Sequence, residues 1–140
     1  VCGGVKMLTN AAITIFNKFP DRKTKQFIYV PHFLEAVWFH TKQKITVGES
    51  GLVSADEYAV RVPFPREGWL PPNDFKDLAE PGENWTVQNG DFFLVGNWQG
   101  GAVSGMNEMR KEFHGIVGTV LSHSENFFGT AQHIRIGGGS

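Results

Sequence analysis

Trp85-Thr86-Val87-Gln88-Asn89-Gly90-Asp91-Phe92-Phe93-Leu94-Val95 is the stretch on which the reading of the fold turns. Apolar and β-branched residues flank an Asn-Gly pair, and Asn and Gly both tolerate the positive φ that a type I′ turn requires. The stretch predicts a β-hairpin with a two-residue turn. In that register Val87 faces Phe92 and Trp85 faces Leu94, so all four apolar side chains share one side.

Working toward the N-terminus, Ala55 to Phe64 alternates. Tyr58, Val60 and Val62 fall on one face and Ala59 and Arg61 on the other, the pattern of a half-buried strand ended by Pro63 and Pro65. Ala12–Phe16 and Gln26–Val30 read as two strands of a hairpin, with Pro31 limiting how far the second runs centrally. The tip of that hairpin is basic: Lys18, Arg22, Lys23 and Lys25. Phe33–His40 has a length that suits a strand or two helical turns, and Val37-Trp38-Phe39 favours the strand. Thr41–Ser50 reads as a loop around a short edge strand. Residues 65–82 form a proline-punctuated insert, in which Asn73 caps one or two helical turns through Phe75 and Leu78.

Toward the C-terminus, Ser104 caps a helix over 104–113, with Met106, Met109 and Phe113 at helical spacing. Gly115–Leu121 reads as a strand bulged at Gly118, His123–Asn126 as a turn and Ala131–Ile136 as a last strand. The expected fold is mainly β: a small antiparallel β-barrel or sandwich with one short helix and long loops. The expected organisation is a flexible segment over 1–9, a single barrel-like domain over 10–136 and a flexible Gly-rich tail over 137–140.

Composition bounds the function. At 140 residues the chain can bury one core. Thirteen basic residues against fourteen acidic ones give a formal charge of −1, which lacks the excess that broad phosphate gripping needs. Cys2 is the only cysteine, which excludes an intramolecular disulfide framework and a thiolate zinc centre. No apolar run reaches the roughly 18 residues of a membrane helix. The expectation is a soluble domain made inside a cell.

The residues suggest no catalytic chemistry. His32, His40, His114, His123 and His133 fall in no metal-ligand spacing, although the last three could meet at strand ends. Ser122-His123-Ser124-Glu125 places serine, histidine and acid side by side, whereas a triad must converge in space around an oxyanion hole. The glycine pairs lack phosphate-loop spacing. No catalytic residue, cofactor or metal is expected. Trp38, Trp85, Phe92 and Phe93 read as core. Trp69, Phe75, Phe127 and Phe128 lie in or beside loops and read as interface anchors, with Ile134 and Ile136 of the last strand beside them. Lys18, Arg22, Lys23 and Lys25 read as a contact for a phosphate backbone or an acidic partner.

Several stretches carry a resemblance: Ala12-Ile13-Thr14-Ile15-Phe16-Asn17-Lys18, Val37-Trp38-Phe39-His40, Gly51-Leu52-Val53-Ser54-Ala55-Asp56, the run from Trp85 to Phe92, Asn126-Phe127-Phe128-Gly129, and His133-Ile134-Arg135-Ile136-Gly137-Gly138. Over residues 8 to 138 the chain resembles a small structural protein of tailed bacteriophages and prophages of Gram-positive bacteria. Its layout is similar to head–tail joining (head-closure, neck) proteins. The resemblance implies a non-enzymatic virion protein, made in the host bacterial cytoplasm. It would form a homo-oligomeric ring between portal or adaptor and the tail-terminator or tail-tube proteins, with packaged DNA in the channel. The insert over 65–82 and the helix over 104–113 depart from that layout and leave open a tail terminator or minor capsid protein. A soluble β-sandwich module binding carbohydrate or another ligand is the alternative from a different class.

Overall fold

The computed structural model describes residues 10–21, 23–48, 51–64, 67–129 and 132–139. Six strands, β1 (Ala11–Asp21), β2 (Gln26–Gly48), β3 (Gly51–Pro63), β4 (Phe92–Val95), β5 (Val117–Asn126) and β6 (His133–Gly139), close into an antiparallel barrel in the order β1-β2-β3-β6-β5-β4. Two five-residue helices, α1 (Pro72–Lys76) and α2 (Met106–Arg110), lie outside it. The mainly β reading therefore holds, and the architecture is the barrel.

β1 explains why the molecule has two apolar layers. Ile13 and Ile15 point into the barrel with Leu34, Val37, Val60, Val62, Ile134 and Ile136. Phe16, on the opposite face by the two-residue period, joins Phe92, Leu94 and Val117 in a second cluster outside. The segment carrying Val103 and Met109 covers that cluster. Helix 104–113 is thus shorter than its spacing predicts, and Ser104 does not cap it through its side chain. Gly105 holds the N-cap position, while the Ser104 N–H and hydroxyl donate to the Glu108 carboxylate at 2.7 and 2.6 Å.

β2 serves two neighbours. Its first half runs beside β1, from Asp21↔Gln26 to Ala11↔Val37, and its second half beside β3, from Trp38↔Arg61 onward. The handover falls at a register shift near Ala36, whose φ of 57° bends the strand. Pro31 sits within β2, opposite Phe16. Tyr29 donates its N–H away from β1, to the Val103 carbonyl. By alternation the N–H that Pro31 lacks belongs to that same open side, so no rung of the β1 ladder is lost.

Five expectations are corrected. The Asn89-Gly90 turn exists, with Gly90 at φ 93°, but it opens no hairpin. β4 already pairs with β1 on one edge and β5 on the other, so no edge remains for Trp85–Gln88. That segment is held instead by the Asn17 side chain, which donates to the Thr86 carbonyl at 2.6 Å and accepts the Thr86 N–H at 3.1 Å. His123–Asn126 is not a turn but the end of β5, whose register shift falls between Val120 and Ser122 rather than at Gly118. Thr41–Gly48 is strand, paired with Gly51–Tyr58; Glu49 and Ser50 lie outside the described residues. Gly137–Gly139 is not a flexible tail but the end of β6, laddered to Glu57–Ala59 and to Thr119–Ser122. The expectation for residues 1–9 lies outside the described residues.

Candidate functional site

The outer wall of β2, β3, β6 and β5 carries an ordered polar surface. Register places Trp38, Arg61, Arg135 and Ser124 in one cross-strand row, and His40, Ala59, Gly137 and Ser122 in the next. Their neighbours Val60, Val62, Ile134 and Ile136 face inward, so alternation aims both rows outward. Ala59 and Gly137 are small and form the floor of a trough of about 570 Å³ that reaches Glu57. The Trp38 and His40 rings stack at 5.5 Å and 12°, and the Arg61 guanidinium lies 4.9 Å from the centre of the Trp38 ring. Trp38 is therefore half-buried on the outer wall, not a core residue as its strand run suggested.

Arg61 and Arg135 are direct cross-strand neighbours. Like charges so placed repel. Among the described residues neither makes an ion pair; the contact of His123 Nδ1 with the Glu125 carboxylate at 2.9 Å involves neither arginine. A rigid strand pair thus presents two guanidiniums, one braced on an indole, with serine hydroxyls beside them. That arrangement can hold an oxyanion by charge-assisted hydrogen bonds.

A second feature is the β2–β3 ribbon. β6 borders β3 only from Glu57 to Pro63. Among the described residues the rungs from Gln43↔Asp56 to Gly48↔Gly51 therefore pair only with each other. They form a two-stranded arm leaving the end of the barrel where β6 finishes. The other end is plugged. There Phe75 of α1 packs on Phe19 with ring centres 5.5 Å apart, and half-buried Phe64, Trp69 and Phe127 pack together, the Phe64 and Phe127 rings 4.4 Å apart.

These placements correct the interface assignments. Phe75, Ile134 and Ile136 are fully buried core residues, because α1 turns Phe75 inward and alternation does the same for the β6 isoleucines. Trp69 and Phe127 are half-buried in the end plug. Phe128 alone of the six is open, at 89% exposure. In the basic tip, Lys23 and Lys25 are exposed and Lys18 lies 4.5 Å over the Phe27 ring; Arg22 lies outside the described residues. Asp21 organises this turn, accepting the Lys23 N–H and the Thr24 hydroxyl, each at 3.1 Å. Ser122 and Ser124 face the trough, whereas His123 and Glu125 sit opposite Ile136 and Ile134 on the other face, so the four do not converge. No group of three His, Cys, Asp or Glu side chains could hold a metal among the described residues.

Asp91 is a buried carboxylate that the sequence reading did not single out. Its Oδ1 accepts the Lys18 backbone N–H at 3.2 Å, and its Oδ2 accepts from Asn17 Nδ2 and Gln88 Nε2 at 3.1 Å each. Burial pushes this carboxyl above its ordinary value, and the three hydrogen bonds and the Lys18 charge only partly offset the shift. With all three donors committed to it, the group braces β1 against the 86–91 segment rather than serving as an acid or base. The folded chain holds this proton at pH values where the unfolded chain has lost it. Stability contributed by Asp91 therefore falls as pH rises through the window above about 4. Asp91→Asn is expected to cost about 1–3 kcal/mol, because an amide nitrogen meets a donor where an oxygen accepted. It should also remove that descending component. Urea unfolding of both chains across this window checks it; parallel pH profiles would contradict the assignment.

A family model described as "Family of unknown function (DUF6751)" matches residues 8–139, and the chain belongs to that family. No curated protein and no solved structure matches it.

Proposed function

We propose that this member of the family is a non-enzymatic structural subunit of a tailed-phage particle, one copy of a ring at the neck between portal or adaptor and tail. The observation that carries the reading is the two-stranded arm on a closed barrel. In the closed order each strand has a neighbour on both sides, which limits the free edge the barrel offers to other copies. A lone two-stranded ribbon is marginal in water and gains stability when a second surface covers it. Arm and barrel wall are unlike surfaces, and a head-to-tail contact between unlike surfaces closes into a ring when the rotation permits. The sequence resemblance supplies the particle in which such a ring sits.

Counting copies in purified particles tests the reading. Quantitative mass spectrometry should find on the order of six to twelve chains per particle, the number of a single closed ring. A count many times larger would move the chain to the tail tube or capsid surface, and its absence would overturn the virion reading. A variant separates arm from barrel. Lys42 and Glu57 are direct cross-strand partners, so Asn-Gly can replace residues 43–56 as a two-residue turn. Its thermal midpoint should stay within a few degrees of wild type, and the chain should be lost from particles. Normal incorporation of the shortened chain would overturn the arm's role.

A further inference from the structure

We infer that the Arg61–Arg135 trough is the docking site for the acidic segment 74–83 of a second copy of this chain. The inference rests on the ring reading and assigns it a specific contact.

Three observations converge. The first is the trough itself, two like charges fixed side by side on adjacent strands, with no carboxylate ion-paired to either among the described residues. Such a pair weakens an isolated subunit and becomes favourable when an acidic surface neutralises it. The second is the periodicity of Asp74, Asp77, Glu80 and Glu83, an acid at every third position, all four exposed. None makes an ion pair among the described residues. Lys76, the one cation between Pro71 and Asn84, has a counterpart in Glu57 at the far end of the trough.

The third is where the fold puts the two surfaces. α1 packs on β1 through Phe75 and Phe19. In the closed order the β1–β4 seam lies across the barrel from the β3–β6 seam that carries the arginines. Helix α1, which opens the acidic segment, therefore lies across the barrel from its own copy's arginines, and no ion pair joins the two surfaces within one chain among the described residues. Unlike patches on opposite sides make a heterologous contact, the type that propagates head to tail.

The test uses the full chain with Cys2→Ser, which removes intermolecular disulfides. Sedimentation at low ionic strength should show self-association that weakens as salt is raised, since contacts between exposed charges are screened. Arg61→Glu with Arg135→Glu should weaken it by about tenfold or more, and so should Asp77→Arg with Glu80→Arg. An equimolar mixture of the two variants should associate again, because each supplies the complement the other lost. Variants that associate like wild type, a mixture that fails to recover, or a wild-type chain monomeric at low salt would each overturn the docking assignment. Particle copy number is measured separately, so a neck-ring count with any of those results removes this contact and leaves the ring reading standing.

Discussion

Trp85→Ala is expected to cost about 3–5 kcal/mol of folding stability, a large part of the about 5–15 kcal/mol that holds a domain of this kind together. The indole is fully buried and stacks on the His32 ring at 5.5 Å and 15°. Its N–H donates to the Glu67 carbonyl at 2.9 Å. Its backbone accepts the Leu70 N–H at 3.0 Å and donates to the Gly68 carbonyl at 2.9 Å. Truncation thus opens a cavity in the barrel, leaves a carbonyl without its donor, and loosens the turn that brings the 67–70 segment to the barrel end. Gly68 belongs to that turn with φ 83°, and a Cβ there would lie 2.5 Å from the Glu83 carbonyl oxygen, so the turn takes only glycine at this position. Urea unfolding followed by circular dichroism measures the loss, with Phe128→Ala as an exposed aromatic control expected within about 0.5 kcal/mol of wild type. A loss below about 1 kcal/mol for Trp85→Ala would show that the plug contributes little to the barrel.

What was legible in the sequence follows from the range of the forces involved. The alternation of Tyr58, Val60 and Val62 against Ala59 and Arg61 is local, and the structure has it. The mainly β reading rests on the same period. β1 was found, but its burial on both faces was not, because an Ile-Thr-Ile-Phe run looks the same whether one sheet face or two are covered. The Asn89-Gly90 hairpin failed for a related reason. Turn chemistry records what two residues can do, not that both edges of β4 are claimed by β1 and β5. Phe75 was placed at an interface because it lies in a proline-rich loop, and loop position is a poor guide when a single helical turn directs the ring into the barrel end.

The candidate site was legible only in fragments. Arg61 could be placed on an outward face from its own strand, and Arg135 alternates with Ile134 and Ile136. Their pairing depends on the register between β3 and β6, strands far apart in the chain, and no local pattern encodes it. The arm was read only as a loop around a short edge strand because Thr41–Ser50 is largely polar, although Ile45, Thr46 and Val47 are good strand formers. Asp91 was read only as the first residue of a hairpin strand, yet its burial depends on Asn17 and Gln88 closing over it.

The glycines of β5 and β6 are where composition misled most, and they carry the second large prediction. A Gly-rich terminus reads as a linker, but here glycine is required by aromatic packing inside the barrel. Phe39, Tyr58 and Phe93 form a triangle with ring centres 5.6, 6.5 and 6.2 Å apart. Their rings fill space that side chains at Gly118 and Gly138 would otherwise occupy. A Cβ at Gly118 would lie 2.7 Å from both Phe93 Cζ and Tyr58 Cδ2, and one at Gly138 would lie 3.0 Å from Phe93 Cε1 and from the Thr119 carbonyl oxygen. Gly118→Val ought to gain from strand propensity, since glycine in a strand costs about 0.5–1 kcal/mol relative to alanine. Overpacking reverses that sign, because Phe93 is fully buried and has nowhere to retreat, so a net loss of about 1–3 kcal/mol is expected. The decisive measurement is a double-mutant cycle with Phe93→Leu. If the clash is the cause, the smaller side chain admits the valine and the double variant is more stable than the sum of the single losses predicts. Strict additivity would mean that the two sites do not compete for space, and the aromatic account of these glycines would fall with it.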